Sequence, residues 1–363
     1  MRRSIFSLFL MSAVLLLSAV DCREIEPVVT DTDIIFTYCG YFLNAGIPGE
    51  NDAEVTQLNT VQAIVNQRIF AEKNDGKTFG DDARDIHILG NKLYVSLAGS
   101  QMIRVMSKFD CTDQGTIIVQ SEEDGCTLTP HSLTSFEGTL IVSYKEGYVA
   151  SIDTTSLKPI MLQRVGTEPG AIAIAGQKLY VADMRDDDGP GHEVLMLNPV
   201  DLHVMKILEV APNPTRMVTD PVLDDLYVIS AGDDTTPGCL QKIDSDIDDL
   251  TVIWDAGHPV LMDASSQKSL ILYVKDESVW GDGKLLVFNT ETQRVEGEFI
   301  RDGSYVRHPC NIAVDTNTGN VYIADDSEGE FCIIFIYTDY GQYMTSFNSG
   351  GANTCGAVFV TGS

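Results

Sequence analysis

A short apolar strand recurs along the whole chain, and each time it opens into a polar loop. "GNKLYVSLAGS" starts at Gly90, "GQKLYVADMRDDDG" at Gly176, "DDLYVISAGDD" at Asp224, "LILYVKDESVWGDG" at Leu270 and "GNVYIADDSEGE" at Gly319. Weaker copies lie at Tyr41-Phe42-Leu43 and Leu140-Ile141-Val142. From Tyr41 through Tyr94, Ile141, Tyr180, Tyr227, Tyr273 and Tyr322 the steps are 53, 47, 39, 47, 46 and 49 residues, which makes seven units. Helical periodicity is almost absent. A period in the forties built from short strands marks the blades of a β-propeller. Two stacked β-sandwiches would not explain one even period over the chain.

Each unit has the same internal order. An apolar or alternating strand ("DIHIL", "AIAIA", "CNIAV") is followed by a Gly-, Asn- or Asp-rich turn and then the "LYV" strand. A polar loop leads to a third strand such as "VLMLN" or "KLLVFN", and a hairpin leads to an outer one such as "HVMKILEV" or "RVEGEFI". Strands apolar on both faces are buried on both sides, as inner blade strands are between their neighbours. The C-terminal "CGAVFV" (355–360) reads as an innermost strand with no "LYV" partner, and "DIIFTYCGYFLNAG" near the N-terminus lacks an innermost strand. The expected fold is therefore all-β: a seven-bladed propeller of four-stranded antiparallel blades over 34–363, closed by both chain ends in one blade.

The 24 basic and 53 acidic residues leave a net charge of −29, a field that repels phosphate backbones and argues against a nucleic-acid partner. Residues 1–21 pair a basic "MRRS" with a short apolar run, a leader rather than a membrane span. Cys22 follows in "LLLSAVDC", a small-residue stretch resembling a bacterial lipobox, although Asp21 departs from the usual small residue. Cys22 is thus the candidate lipidation site and mature N-terminus, with 22–33 as a tether and an acyl anchor expected to hold the exported domain to a membrane without spanning it. Cys111 and Cys126, flanking an acidic excursion, are the best disulfide candidates, and the remaining cysteines read as small buried residues. No Cys-x-x-Cys pair supports a zinc or haem attachment.

In a propeller, the loops entering the innermost strands and those leaving the second strands share one face around the channel. The first set carries Arg84, His131, Arg216, His258, Arg307, His308 and Asn353, with each of the three histidines beside a proline. That concentrates hydrogen-bond donors on one rim of an otherwise acidic chain, and proline stiffening lowers the ordering cost of binding. The alternative for any single one is pairing with the abundant acids. The second set carries Tyr144, Arg185 and Trp280. Trp280, one of two tryptophans, sits at a loop tip where an aromatic suits a ligand or partner surface. "DMRDDDG" offers closely spaced carboxylates to Ca²⁺, but not at the spacing of a twelve-residue calcium loop; a solvated acidic loop is the competing reading. No Gly-x-Ser-x-Gly, His-Glu-x-x-His or phosphate-binding glycine loop occurs, and no nucleophile with its base is specified. The sequence accordingly points away from an enzyme.

Two stretches, "YFLNAGIPGENDAEVTQLN" and "FGDDARDIHILGNKLYVSLAGSQMIRVM", resemble the opening blades of the YncE-like propeller lipoproteins of gut Bacteroidetes. "EGYVASIDTTSLKPI" and "HPCNIAVDTNTGNVYIAD" are similar to the later blades of that group. The resemblance implies a surface lipoprotein that captures a scarce nutrient, vitamin B12 (cobalamin) first among the candidates, for a TonB-dependent outer-membrane transporter. It names no cofactor. Two alternatives stay open: a propeller serving only protein or cell-surface contacts, and a calcium-dependent lactonase-like hydrolase.

Overall fold

The computed structural model describes residues 35–186, 189–253, 256–275 and 283–362. Within residues 35–363, all described strands fall into seven four-stranded antiparallel sheets arranged as a ring of blades. Taking the blade that contains both chain ends as blade 1, the innermost strands of blades 2 to 7 are Ala83–Leu89, Pro130–Phe136, Pro169–Ala175, Pro214–Thr219, Pro259–Ser265 and Pro309–Val314. Each repeated "LYV" lies in the second strand of its blade, as the pattern predicts. Blade 1 closes as expected: Thr354–Gly362 is its innermost strand and pairs with Phe36–Asn44, from Phe36↔Gly362 to Asn44↔Thr354. Its outer strand is only Ile64–Asn66, followed by the short helix Ile69–Lys73.

The period has a packing cause. The buried apolar residues form seven clusters, and each lies between two neighbouring blades. Within an "LYV" triplet the side chains alternate between the blade's two faces. Leu93 and Val95 pack toward blade 1 while Tyr94 packs toward blade 3. Leu226 and Val228 likewise face blade 4 while Tyr227 faces blade 6. Tyr41, Tyr94, Tyr180 and Tyr227 are fully enclosed. Burying one such ring stabilises the fold by roughly 1.5–3 kcal/mol, so no blade is stable without a neighbour on each side.

The cysteines behave as separate thiols. Cys111 is buried and Cys126 exposed, and both are free, so the expected pair is not formed. No described helix is long and apolar enough to cross a membrane. Residues 1–34, including Cys22, lie outside the described residues.

Candidate functional site at the channel mouth

All seven innermost strands share an irregularity at their start. In blade 2, Ala83 pairs with Leu97 and Asp85 with Ser96, which leaves Arg84 as an extra, bulged residue. The same slip occurs at His131–Ser132, Gly170–Ala171, Thr215, Val260, Cys310 and, in blade 1, Cys355. In five blades the residue just before the bulge is proline, which has no N–H to donate and suits the first position of a strand. A bulge re-aims the side chains around it. Here it turns them toward the axis: Arg84, His131, Ala171, Thr215, Cys310 and Cys355 all line one cavity of about 720 Å³ at the channel mouth.

The cavity wall is mixed in character. Met184, Met217, Met262, Ile172 and Leu133 supply apolar surface, and Asn353 joins from blade 1. Asn353 Nδ2 donates to the Gly46 carbonyl at 2.9 Å, which ties the loop before the innermost strand of blade 1 to the loop after its second strand. Arg84 Nη2 lies 2.6 Å from Asp82 Oδ2. A second cavity of about 380 Å³ shares Asp82, Arg84, His131 and Met184 with the first and extends to Lys145 and Glu168.

Three charged groups sit inside the channel. Asp85 is held rigidly: Oδ1 accepts the Ile86 N–H at 2.8 Å, while Oδ2 accepts Leu133 N–H at 2.7 Å and Ser132 Oγ at 2.9 Å from the next blade. Burial pushes its carboxyl up to about 6, against those hydrogen bonds and the field of Arg216. Asp263 repeats the arrangement between blades 6 and 7, accepting Ala264 N–H at 2.8 Å and Val314 N–H at 2.7 Å, and burial lifts it to about 6 as well. Arg216 lies on blade 5, next to the blade of Asp263, and lines the cavity with Asp85. Burial lowers its pKa, while Cys355, Cys310, Asp263 and Asp85 act on it through space from four other blades. Its guanidinium makes no hydrogen bond or ion pair with any described residue. A guanidinium carries five N–H donors, and here none of them meets a protein acceptor among the described residues.

His131 is partly buried on the wall. Its Nδ1 is buried with no partner among the described residues. Burial, reinforced by the positive Arg84 and Lys145, pushes its pKa down to about 4, so the ring is neutral at physiological pH.

Of the residues expected on the rim, Arg84, His131, Arg216 and Asn353 come together in this cavity. His258, Arg307 and His308 are exposed and do not line it. Tyr144 is buried between blades 2 and 3, with its hydroxyl unpartnered. Arg185 is exposed, with Nε 3.7 Å from Glu168 Oε2 beside the second cavity. Trp280, and Asp187 and Asp188 of the acidic loop, lie outside the described residues. Among the described residues no group of three or more His, Cys, Asp or Glu side chains is arranged to hold a metal ion. Sequence reasoning missed Asp263, although a carboxylate inside "VLMDA" is a legible oddity in an apolar strand. It also missed the cysteines of the wall, because bulge phase is not written in residue type.

No protein-family model and no curated protein matches the chain. Solved structures do. Kuenenia stuttgartiensis hydrazine synthase is similar at 14% identity, covering 76% of this chain and 88% of its own, with a TM-score of 0.59. The dihydro-heme d1 dehydrogenase NirN in complex with DHE gives 10%, 87% and 68% with a TM-score of 0.57, and a chain of the mitotic checkpoint complex 12%, 75% and 78% with 0.56. At such identities the likeness shows the propeller fold alone. It also corrects one expectation. The chain was expected not to be an enzyme, but its fold is shared with a synthase and a dehydrogenase, so a missing hydrolase motif does not place it outside catalysis. What the fold supports is a β-propeller, consistent with a binding or interaction module.

Proposed function

We propose that this protein is a capture protein that binds a small molecule over the channel mouth. In this reading it is held at the outer membrane through Cys22 and delivers a scarce nutrient, with cobalamin the first candidate, to a TonB-dependent transporter. The observation that carries the binding role is the unpartnered Arg216 guanidinium opening into a cavity of about 720 Å³ lined by six of the seven bulges. That volume lies within the range of small-molecule sites, roughly 300–1,000 Å³. The mixed wall, with Met184, Met217 and Met262 beside Arg84, Arg216 and Asn353, suits a ligand with an apolar body and polar periphery. A corrinoid has both, and its amide groups call for arginine and asparagine donors. The carrier and transporter roles rest on the lipobox-like leader and the sequence resemblance.

Calorimetric titration of the purified protein with cyanocobalamin is the direct test. Saturable one-to-one binding that Arg216→Met weakens at least tenfold supports the reading. No binding at micromolar ligand removes cobalamin from it. Recovery of a transporter on pull-down from outer membranes, lost in Cys22→Ser, tests the anchor and the partner.

A further inference from the structure

The groups around Arg216 say what kind of chemical group the channel mouth accepts. Four ionisable groups act on the guanidinium: Cys355, Cys310, Asp263 and Asp85. Both thiols are uncharged at neutral pH. Burial lifts Cys355 to about 12, and Cys310 is raised by its contact with Cys332, 3.8 Å away, and by burial. At the rim, Arg84 is neutralised by Asp82 at 2.6 Å, and His131 is neutral. The charged groups acting on the guanidinium are therefore two carboxylates, Asp85 on the cavity wall and Asp263. Asp85 lines the same cavity from blade 2, and Asp263 lies four residues down its strand from Pro259.

An anion arriving at Arg216 would add a third negative charge to a space with one cation and an effective dielectric well below that of water. An uncharged carbonyl oxygen adds none and still accepts from the free guanidinium donors. Asp85 uses three of about four acceptor positions on its carboxylate, which leaves room for one donor from the same ligand. Donor and acceptor on one uncharged group is the description of a carboxamide.

We propose that Arg216 and Asp85 form a subsite for an uncharged carbonyl or carboxamide group, and that the site discriminates against carboxylates and phosphates. This rests on the reading that the channel mouth binds a ligand, and it is independent of cobalamin being that ligand. It carries a further consequence. When Asp85 and Asp263 take up protons the local charge becomes positive, so discrimination against anions weakens in acid.

The matched probes are benzamide and benzoate, which differ only in the group concerned. The readout is the arginine Nε–H resonance of the purified protein that disappears in Arg216→Met. At pH 7.5, benzamide is expected to shift this resonance saturably and to bind at least fivefold more tightly than benzoate. At pH 5 the gap narrows. Benzoate binding as tightly as benzamide at pH 7.5 overturns the proposal, as does the absence of any saturable benzamide shift at that resonance, or calorimetric benzamide binding that is undiminished in Arg216→Met. If benzamide behaves as expected but cyanocobalamin fails to bind, this subsite stands and the cobalamin reading falls. If cyanocobalamin binds while the two probes are indistinguishable, the reverse holds.

Discussion

His131 on one side of the rim, and His258 and His308 on the other, carry the same side chain next to proline in the same loop of the repeat. Only His131 reaches the cavity. The difference is word order. His131 follows Pro130 and falls in the bulge, whereas His258 and His308 precede Pro259 and Pro309 and stay in the approach loop. In blade 7 that loop is pinned from below: Asp325 Oδ2 accepts the N–H of Arg307 at 2.6 Å and of His308 at 3.2 Å, and both side chains are exposed. One residue of phase on either side of a strand's first pair decides whether a side chain serves the site or the solvent. The reason is that the bulge adds a residue with no cross-strand partner.

The strongest way to break this comparison is to release the bulge of blade 3. Asp85→Ala removes the acceptor of Leu133 N–H and Ser132 Oγ, and so the link that fixes His131 and its neighbours. Leaving those donors unmet should lower stability by about 3 kcal/mol in urea unfolding at pH 7. An unchanged midpoint would mean that blade 3 does not depend on blade 2 for its geometry.

A second effect, of similar size, sharpens the contrast through pH. His131 titrates near 4 in the folded protein and near 6.5 unfolded, so the unfolded chain binds the proton first on acidification. Its contribution is intact above pH 6.5 and is lost as pH falls toward 4, by about 3 kcal/mol. Asp85 and Asp263 act with the opposite sign: lifted to about 6, they favour the folded state below pH 4 and lose that advantage as pH rises to 6. The His131 share is therefore read by difference. Acid sensitivity between pH 6.5 and 4 should shrink in His131→Gln, and the ring should stay neutral in NMR titration until about pH 4. A ring protonated by pH 6 would place it in solvent.

The smallest expected effect is on binding. With whichever probe proves to bind, His131→Ala should weaken affinity about threefold to tenfold, the cost of roughly one lost wall contact. His258→Ala and His308→Ala should leave it unchanged. Equal losses in all three would dissolve the distinction between bulge and approach loop.

Much of the molecule was legible before any coordinates. The "LYV" spacing gave seven blades because each blade must bury the same face against the next. The orphan strand at 355–360 and the incomplete first unit showed the closure, because a ring has no free edge to leave unpaired. Arg84, His131, Arg216 and Asn353 were found for a weaker reason, the clustering of donors in loops that lead to the axis. Tyr144 was read as a loop residue, yet it is the last residue of its strand and is enclosed between two blades.

The local sequence determined what alternates, where strands stop and how many units must assemble, since these depend on spacing and on what each residue does to its own backbone. It could not determine which residues meet across the channel. Arg216 is influenced by groups on blades 1, 2, 6 and 7, brought around it only when the ring shuts. Their shared charge, two carboxylates against one free guanidinium, is a property of that enclosure, where burial has replaced water as the dominant neighbour.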